Sequence, residues 1–435
     1  MTTSAPAAPL AFRYHPIASS LHVAEELAAY LAPYEEALRA AGGSPIPPPA
    51  PAPDPTSAAP LVAFIQTGGT EQAARALLAQ TDAHVPFLLL AHPAHNSLPA
   101  ALEILARCRQ LRRHANLFYL RSPDDPAPLA AFADAFRAAT AAARLRSARI
   151  GRFGASSDWL IASSHDPSTV AARFGCTLLP ISIDDLRAAI RDTPLPVIPP
   201  PGDPAAADHP DAALYARATT AQDVSPATFA ASLRFARALR TLAEDLRLDA
   251  LTVRCFDLLS GGFTGCLALA LLADEGIPAA CEGDIPSTLA LLWTRLLTGR
   301  PAWMANPADI DPATDTALLA HCTTPLSLAC SYAFKTHFES GIGLAIDATL
   351  PPGPATLLRL GGDDLSLAQA ADVTLLESLH RPGLCRTQAR IALPPGAAAR
   401  WLSAPLGNHV ILAPGHHFAP TFLRSFAYTL PPPPP

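Results

Sequence analysis

Short apolar runs alternate with stretches of helical spacing through the first half of the chain. Leu10 to Tyr14 precedes the helical stretch Leu21 to Ala41, which Gly42-Gly43 closes. Leu61 to Ile65 precedes Glu71 to Gln80, Val85 to Leu90 precedes Ala100 to Leu111, and Asn116 to Leu120 precedes Leu129 to Leu145. Buried strands separated by helices predict a parallel sheet with helices on its faces. The alternation resumes with Ala148 to Arg152, Leu160 to Ala162 and Cys176 to Ser182. Helices over Asp184 to Arg191 and Pro226 to Arg247, a strand Ala250 to Cys255 and a helix Leu267 to Ala273 follow.

The stretch Gly276 to Asn306 concentrates polar residues where strands should end. Ile277 to Cys281 reads as a buried strand with Glu282 at its C-terminal edge, the edge where open α/β sheets bind ligands. Gly283-Asp284-Ile285-Pro286 reads as a helix start, with Asp284 as N-cap and Pro286 in the first turn of a helix over Ser287 to Leu297. Ala302 to Ala305 is expected to be the next strand, placing Asn306 beside Glu282, and Ala317 to Ala320 one more, ending at His321-Cys322.

From about Pro325 the period changes to two. Gly343 to Ala348, Ala355 to Leu360, Val373 to Leu376, Gln388 to Leu393 and His409 to Leu412 alternate between turns, with one helical stretch, Gly396 to Ala404. This is the texture of a β-barrel or sandwich. The expected fold class is therefore α/β: two parallel-sheet α/β domains followed by a β-rich, barrel-like C-terminal domain. The expected boundaries are 1–146, 147–324 and 325–430, with 431–435 a disordered proline tail. Ser44 to Pro60 and Pro194 to Pro210 are proline-dense and read as surface loops.

A length of 435 residues exceeds one ordinary core. Charged residues are 16% of the chain and the net charge is −6, which gives no nucleic-acid footprint and no polybasic membrane patch. The start of the chain has no basic stretch leading into an apolar one, and the expected location is cytoplasmic. Eight cysteines without a CxxC pair read as small core residues and not as a zinc ribbon or disulfide scaffold. The basic set is arginine except for Lys335. The turn Thr67-Gly68-Gly69-Thr70 reads either as an anion cradle or as a plain tight turn.

Candidate chemistry gathers late in the chain. His337 lies in Thr336-His337-Phe338-Glu339-Ser340, His409 in Gly407-Asn408-His409, and His416 and His417 follow Gly415, while His321 sits at an expected strand end. With Glu282 they offer a carboxylate and imidazoles, an N/O mix suited to Mn²⁺, Fe²⁺, Co²⁺ or Zn²⁺. No HExxH-like pair is present, so the fold would have to assemble such a site.

The run Ala280-Cys281-Glu282-Gly283-Asp284, then Leu289-Ala290-Leu291-Leu292 and Leu296-Leu297-Thr298-Gly299, with a strand ending 24 residues after the glutamate, resembles the L-fucose isomerase and L-arabinose isomerase family. Gly407-Asn408-His409 and Gly415-His416 are similar to that family's late histidine motif. The likeness spans about Cys255 to Phe418. It implies an oligomeric enzyme that interconverts aldoses and ketoses through a cis-enediol with a divalent metal, usually Mn²⁺. It also implies Glu282 as first acidic ligand, His409 as late histidine ligand and His321 as an additional one. Asn306 stands where the second acid is expected; its amide oxygen could still serve as a weak metal ligand, but an amide cannot exchange a proton. Glu339 is the candidate for that role. His337, Asn408, His416 and Lys335 are candidates for binding the sugar, with Lys335 opposite an enediolate. The expected partners are a small carbohydrate and further copies of the chain. The other reading is a sugar-binding or regulatory protein with the isomerase fold and no turnover, which Asn306 motivates.

Overall fold

The computed structural model describes residues 10–46, 59–199, 203–206, 208–219, 224–415 and 417–432. The chain forms two compact units, Met1–Arg144 with Thr421–Pro435, and Leu145–Pro420. Most of the Ser44 to Pro60 loop and the end of the proline tail lie outside the described residues, as does His416.

The first unit builds its sheet from β1 (Phe12–Ile17), β2 (Gly43–Pro45), β3 (Leu61–Ile65), β4 (Phe87–Ala91) and β5 (Ala115–Tyr119). The connecting helices are α1 (Ala24–Ala40), α2 (Glu71–Ala79), α3 (Ser97–Gln110) and α4 (Pro126–Arg146). All pairings are parallel in the order β2-β1-β3-β4-β5. Every residue of β3 and β4 is buried because helices cover both faces. Val62, Phe64, Leu88 and Leu90 pack with Phe12, Phe132 and Phe136 on one face, and Ala63, Ile65 and Leu89 pack with Ala101 and Ile104 on the other.

The turn Thr67-Gly68-Gly69-Thr70 is closed by its own bonds. Gly68 N donates to His95 O (2.8 Å), Thr70 Oγ1 to Thr67 O (2.9 Å), and Thr67 Oγ1 accepts from Ser19 N (2.7 Å). These contacts make it a packed turn.

The second unit opens with β6 (Arg149–Phe153), α5 (Pro167–Phe174), β7 (Thr177–Ile181), α6 (Ile183–Asp192), α7 (Pro210–Ala216) and α8 (Pro226–Asp245). It continues with β8 (Ala250–Val253), α9 (Cys266–Asp274), β9 (Ala279–Cys281) and α10 (Ile285–Thr298). The sheet is parallel with order β7-β6-β8-β9, so the winding reverses between β6 and β8. A crevice outside the C-terminal ends of these strands is the natural ligand site of such a sheet.

The chain then forms β10 (Trp303–Asp311), β11 (Thr316–His321), β12 (Ser331–Lys335), β13 (Ala345–Thr349) and β14 (Gly353–Gly361). It goes on through β15 (Leu367–Leu379), β16 (Thr387–Ala392), α11 (Ala397–Ser403), β17 (Val410–Pro414) and α12 (Ala419–Ala427). Six strands close an antiparallel barrel in the order β10-β11-β16-β15-β14-β17, filled by Trp303, Leu319, Val373, Leu375, Ile391 and Leu412. Strands β12 and β13 make a separate ribbon that packs Phe334 and Ile346 against Phe229 and Leu267.

Two expectations are corrected here. Ala302–Ala305 and Ala317–Ala320 do not extend the parallel sheet. Trp303–Ala305 and Ala317–Ala320 belong to β10 and β11, antiparallel neighbours in the barrel with Asn306 opposite Ala320. A four-residue apolar run fits either kind of strand, but the intervening Asp311-Pro312-Ala313-Thr314-Asp315 is a hairpin turn, in which Asp311 accepts from Ala313 N (2.8 Å) and Thr314 Oγ1 (2.7 Å). Leu160 to Ala162 is not a strand either. It is a loop held by Leu160 N donating to Ser157 O (2.9 Å) and Ser163 N to Leu160 O (3.1 Å). Among the described residues no helix is long and apolar enough to cross a membrane.

Candidate metal centre

The site begins with an unusual backbone. Glu282 and Gly283 follow β9 with φ of 66° and 71°. Such a conformation costs a residue with a Cβ about 1–3 kcal/mol and persists only where its surroundings enforce it. Here the loop after β6 enforces it. Ser157 N donates to Glu282 O (2.8 Å), Ser156 Oγ donates to Gly283 O (2.8 Å), and a Cβ at Gly283 would lie 2.5 Å from Ala155 O. The result turns the Glu282 carboxylate into the crevice. Trp159 donates its indole N–H to Glu282 Oε2 at 2.6 Å. Phe256 meets the indole edge-on at 5.0 Å and His337 at 5.7 Å, forming an aromatic row.

The barrel supplies the imidazoles. His321 ends β11 and His409 directly precedes β17, and the ring centroids are 5.6 Å apart. His409 Nε2 lies 3.6 Å from Glu282 Oε1, and is buried without a hydrogen-bond partner. Its Nδ1 is 2.9 Å from Asp284 Oδ2, while His321 Nδ1 is 2.7 Å from Thr323 Oγ1. Each imidazole thus spends one nitrogen on the protein and keeps the other for the centre. Glu282, His321 and His409 each offer a ligand atom within 4.8 Å of the others. One carboxylate, two oriented imidazoles and an orphaned buried nitrogen fit a divalent transition cation.

Asp284 holds this arrangement from behind. It caps α10 by accepting from Ser287 N (2.7 Å), and it pairs with Arg359 Nη1 of β14 (3.1 Å). Arg359 also donates to Ser287 Oγ (2.6 Å) and to Ser163 Oγ (2.5 Å). All these side chains are buried.

The electrostatics follow from this packing. Burial opposes a charge on His409, but Asp284 and Glu282 outweigh it and carry its pKa up to about 9. Burial, then the nearby His409, push His321 down to about 4. Burial raises the Glu282 carboxyl, yet His409, His321 and the indole N–H leave it below the ordinary carboxylate value. Asp284 is held far below that value despite burial, chiefly by Arg359 and His409. Glu339 lies higher than an ordinary carboxyl because of burial, His337 drawing it down and Glu282 adding to the rise.

A cavity of about 620 Å³ opens over the centre. Glu282, Asn306, His321, His337, Glu339 and Asn408 all line it. His409 is buried behind Glu282. Asn306 reaches this wall from the barrel strand β10, its amide nitrogen 3.4 Å from Asn408 O. Lys335 is not brought to the cavity wall. It pairs at 2.6 Å with Asp347, which also accepts from His380 at 2.7 Å. Reasoning from sequence missed Trp159, Phe256, Thr323 and Arg359. The first two lie just past the C-terminal ends of β6 and β8, so the reversal of strand order is the signal that finds them.

No protein-family model matches this chain. Among curated proteins it is similar to a sulfoquinovose isomerase of Alkalicoccus urumqiensis, 24% identical over 259 residues, 57% of this chain and 55% of that protein. A sulfoquinovose isomerase of Clostridium sp. (strain MSTE9) is 32% identical over 124 residues, 26% of this chain and 27% of that one. One from Priestia aryabhattai is 28% identical over 134 residues, 29% and 30% of the two chains. The matches span about half or less of these relatives' lengths. Their shared name is that of a sugar isomerase, and it is neither the fucose nor the arabinose enzyme.

Proposed function

We propose that this chain is an aldose–ketose isomerase of the broad sugar isomerase group, with a divalent cation held by Glu282, His321 and His409. The observation that carries the reading is the meeting of these three side chains, one from a parallel sheet and two from a barrel, beneath a sugar-sized cavity. The names of the relatives support the reaction class. Mn²⁺ as the ion, a sugar or modified sugar as substrate and self-association of the chain belong to the same proposal.

A bound cation supplies a Lewis acid that polarises adjacent sugar oxygens. The rest falls to the protein. Conversion through an enediol moves one proton between C1 and C2 and another between their oxygens. Glu339, on the cavity wall with its carboxyl held above the ordinary value, is the group assigned to one of these proton transfers. Glu282 is the second carboxylate, with Oε2 fixed by Trp159 and Oε1 turned toward His409. Asn306, Asn408 and His337 present amide and imidazole groups to sugar hydroxyls, and the Trp159–Phe256 pair forms an apolar wall.

Metal-loaded protein incubated in D₂O with sulfoquinovose and a panel of neutral aldoses tests the reading. Ketose formation with deuterium at C1, or deuterium at C2 of the recovered aldose, supports it. Absence of both across the panel, with the cation shown to be bound, overturns it. Asn306 favours the second reading, a binding protein without turnover, because a carboxamide stands on the wall where the resemblance expects an acid. Gain of turnover in Asn306→Asp from an inert parent would establish that alternative.

A further inference from the structure

We propose that Arg254 is a positioning residue for the Glu282 centre: it latches the loop after β6, and through that loop it fixes both the left-handed turn at Glu282 and the indole that holds its carboxylate. The proposal rests on Glu282 serving the cation, and deepens that reading by naming what aims the carboxylate. Arg254 directly follows β8, at the reversal of the strand order. Its backbone N–H donates to Phe153 O at the end of β6 (2.9 Å), which seats it beside the start of the loop. Gly154, the first loop residue, has φ of 83°, and a Cβ there would lie 3.0 Å from Arg254 Cβ. A glycine lets the chain leave β6 in that conformation, close against the arginine stem.

The guanidinium then reaches along the loop. Nη1 donates to Ser156 O (2.5 Å), and Nη1 and Nη2 grip the two oxygens of Asp158 at 3.2 and 3.0 Å. Nε is spent on Asp257 Oδ1 (3.0 Å), which keeps the fork from turning away. The residues held in this way are the ones that act on the centre. Ser156 and Ser157 bond the backbone of Gly283 and Glu282, and Trp159 bonds Glu282 Oε2. Arg254 therefore bears on the carboxylate from two directions.

Stability alone does not account for the Arg254–Asp158 pair. The Asp158 side chain is 86% exposed, and exposed ion pairs contribute little to folding. A fork closed on both oxygens of a carboxylate does fix direction, and that is what the next residue needs. Trp159 is half-exposed, so packing orients its indole only in part, and the anchored neighbour sets the course of the chain beneath it.

Nitrogen NMR of the full-length, chelator-treated protein with isotope-labelled tryptophan tests this without turnover and without the cation. Trp159, Trp293, Trp303 and Trp401 each give an indole N–H signal, and Trp159→Phe assigns the first. Arg254→Lys keeps the charge and loses the fork, while Asp158→Asn removes the anion. Both should move the Trp159 signal toward that of a free indole and leave the remaining tryptophan signals in place. Calorimetric titration with Mn²⁺ should show affinity weakened by about tenfold in Arg254→Lys and by up to about fivefold in Asp158→Asn. Glu275→Gln, which breaks the exposed Arg240–Glu275 pair on other elements, should change neither readout. A Trp159 signal unmoved in both variants, a shift of all the tryptophan signals together, or Mn²⁺ affinity equal to wild type in both would overturn the proposal. If wild type binds no Mn²⁺ and the Trp159 signal still moves alone, the cation reading fails and the latch on the Glu282 turn stands. Should Arg254→Lys fail to fold, Asp158→Asn, at an exposed side chain, carries the test.

Discussion

Asp284 Oδ2 lies 2.9 Å from His409 Nδ1, although 125 residues separate the two in sequence. The contact fixes the ring of His409 and directs Nε2 at Glu282, and it raises the basicity of the imidazole. Arg359 holds the other side of the same carboxylate. One aspartate therefore caps a helix, neutralises a buried guanidinium and aims a candidate ligand.

Asp284→Asn separates these tasks, since the amide oxygen can still cap α10. The expected outcome is a loss of divalent cation affinity of about 10–100-fold, read by calorimetry. Leaving the Arg359 charge without its partner should also cost roughly 3–5 kcal/mol of stability, read by denaturant unfolding. Ser163→Ala, which touches Arg359 but not the imidazole, should leave cation affinity close to wild type.

The two imidazoles make the stability of the metal-free protein depend on pH in opposite directions. His409, raised to about 9 from 6.5, stabilises the fold fully below pH 6.5, and that contribution is lost as pH climbs through about 9. His321, lowered to about 4, contributes fully above pH 6.5 and loses its contribution as pH falls through about 4. Chemical unfolding of metal-free wild type should therefore show a pair-specific maximum near pH 6.5. His409→Gln should remove the alkaline decline.

Glu339→Gln tests the assignment of the second proton carrier. Loss of one general acid/base should lower kcat by about 10²–10⁴-fold while KM and cation affinity hold. Retention of full C2 exchange in D₂O by this variant would reassign the role.

Trp159→Phe removes the donor to Glu282 Oε2 and keeps an aromatic ring beside Phe256. Hydrogen bonds to charged groups contribute about 1.5–3 kcal/mol, so cation affinity should fall by an order of magnitude or more. The melting temperature should change little, because Trp159 is 51% exposed. Its indole fluorescence should also respond to cation binding in wild type.

Gly283→Ala should be poorly tolerated. The left-handed backbone alone costs about 1–2 kcal/mol with a side chain, and the new Cβ meets Ala155 O at 2.5 Å. Thermal unfolding of the purified variant measures the combined cost.

Local signals were readable from the chain, and distant partners were not. Asp284-Ile285-Pro286 announces a cap and a helix, and both are present. Period-two segments from Gly343 onward announce β structure, and they form it. Glu282 was found because strand ends in α/β sheets are where ligands sit. Nothing in the sequence near Asp284 shows that its other oxygen faces His409, and nothing near Arg359 shows which carboxylate it neutralises. The strand Ala302–Ala305 was misassigned for a related reason: four apolar residues report burial but not the neighbour that buries them. His321 and His409 could be singled out from the other late histidines only through resemblance, since no local spacing joins them.

The barrel closes last along the chain, and this sets an order of events during synthesis. The ribosome delivers Asp284 into solution 125 residues ahead of His409. A cation held as proposed by Glu282, His321 and His409 would therefore find its full set of ligands only once the last barrel strand has been made.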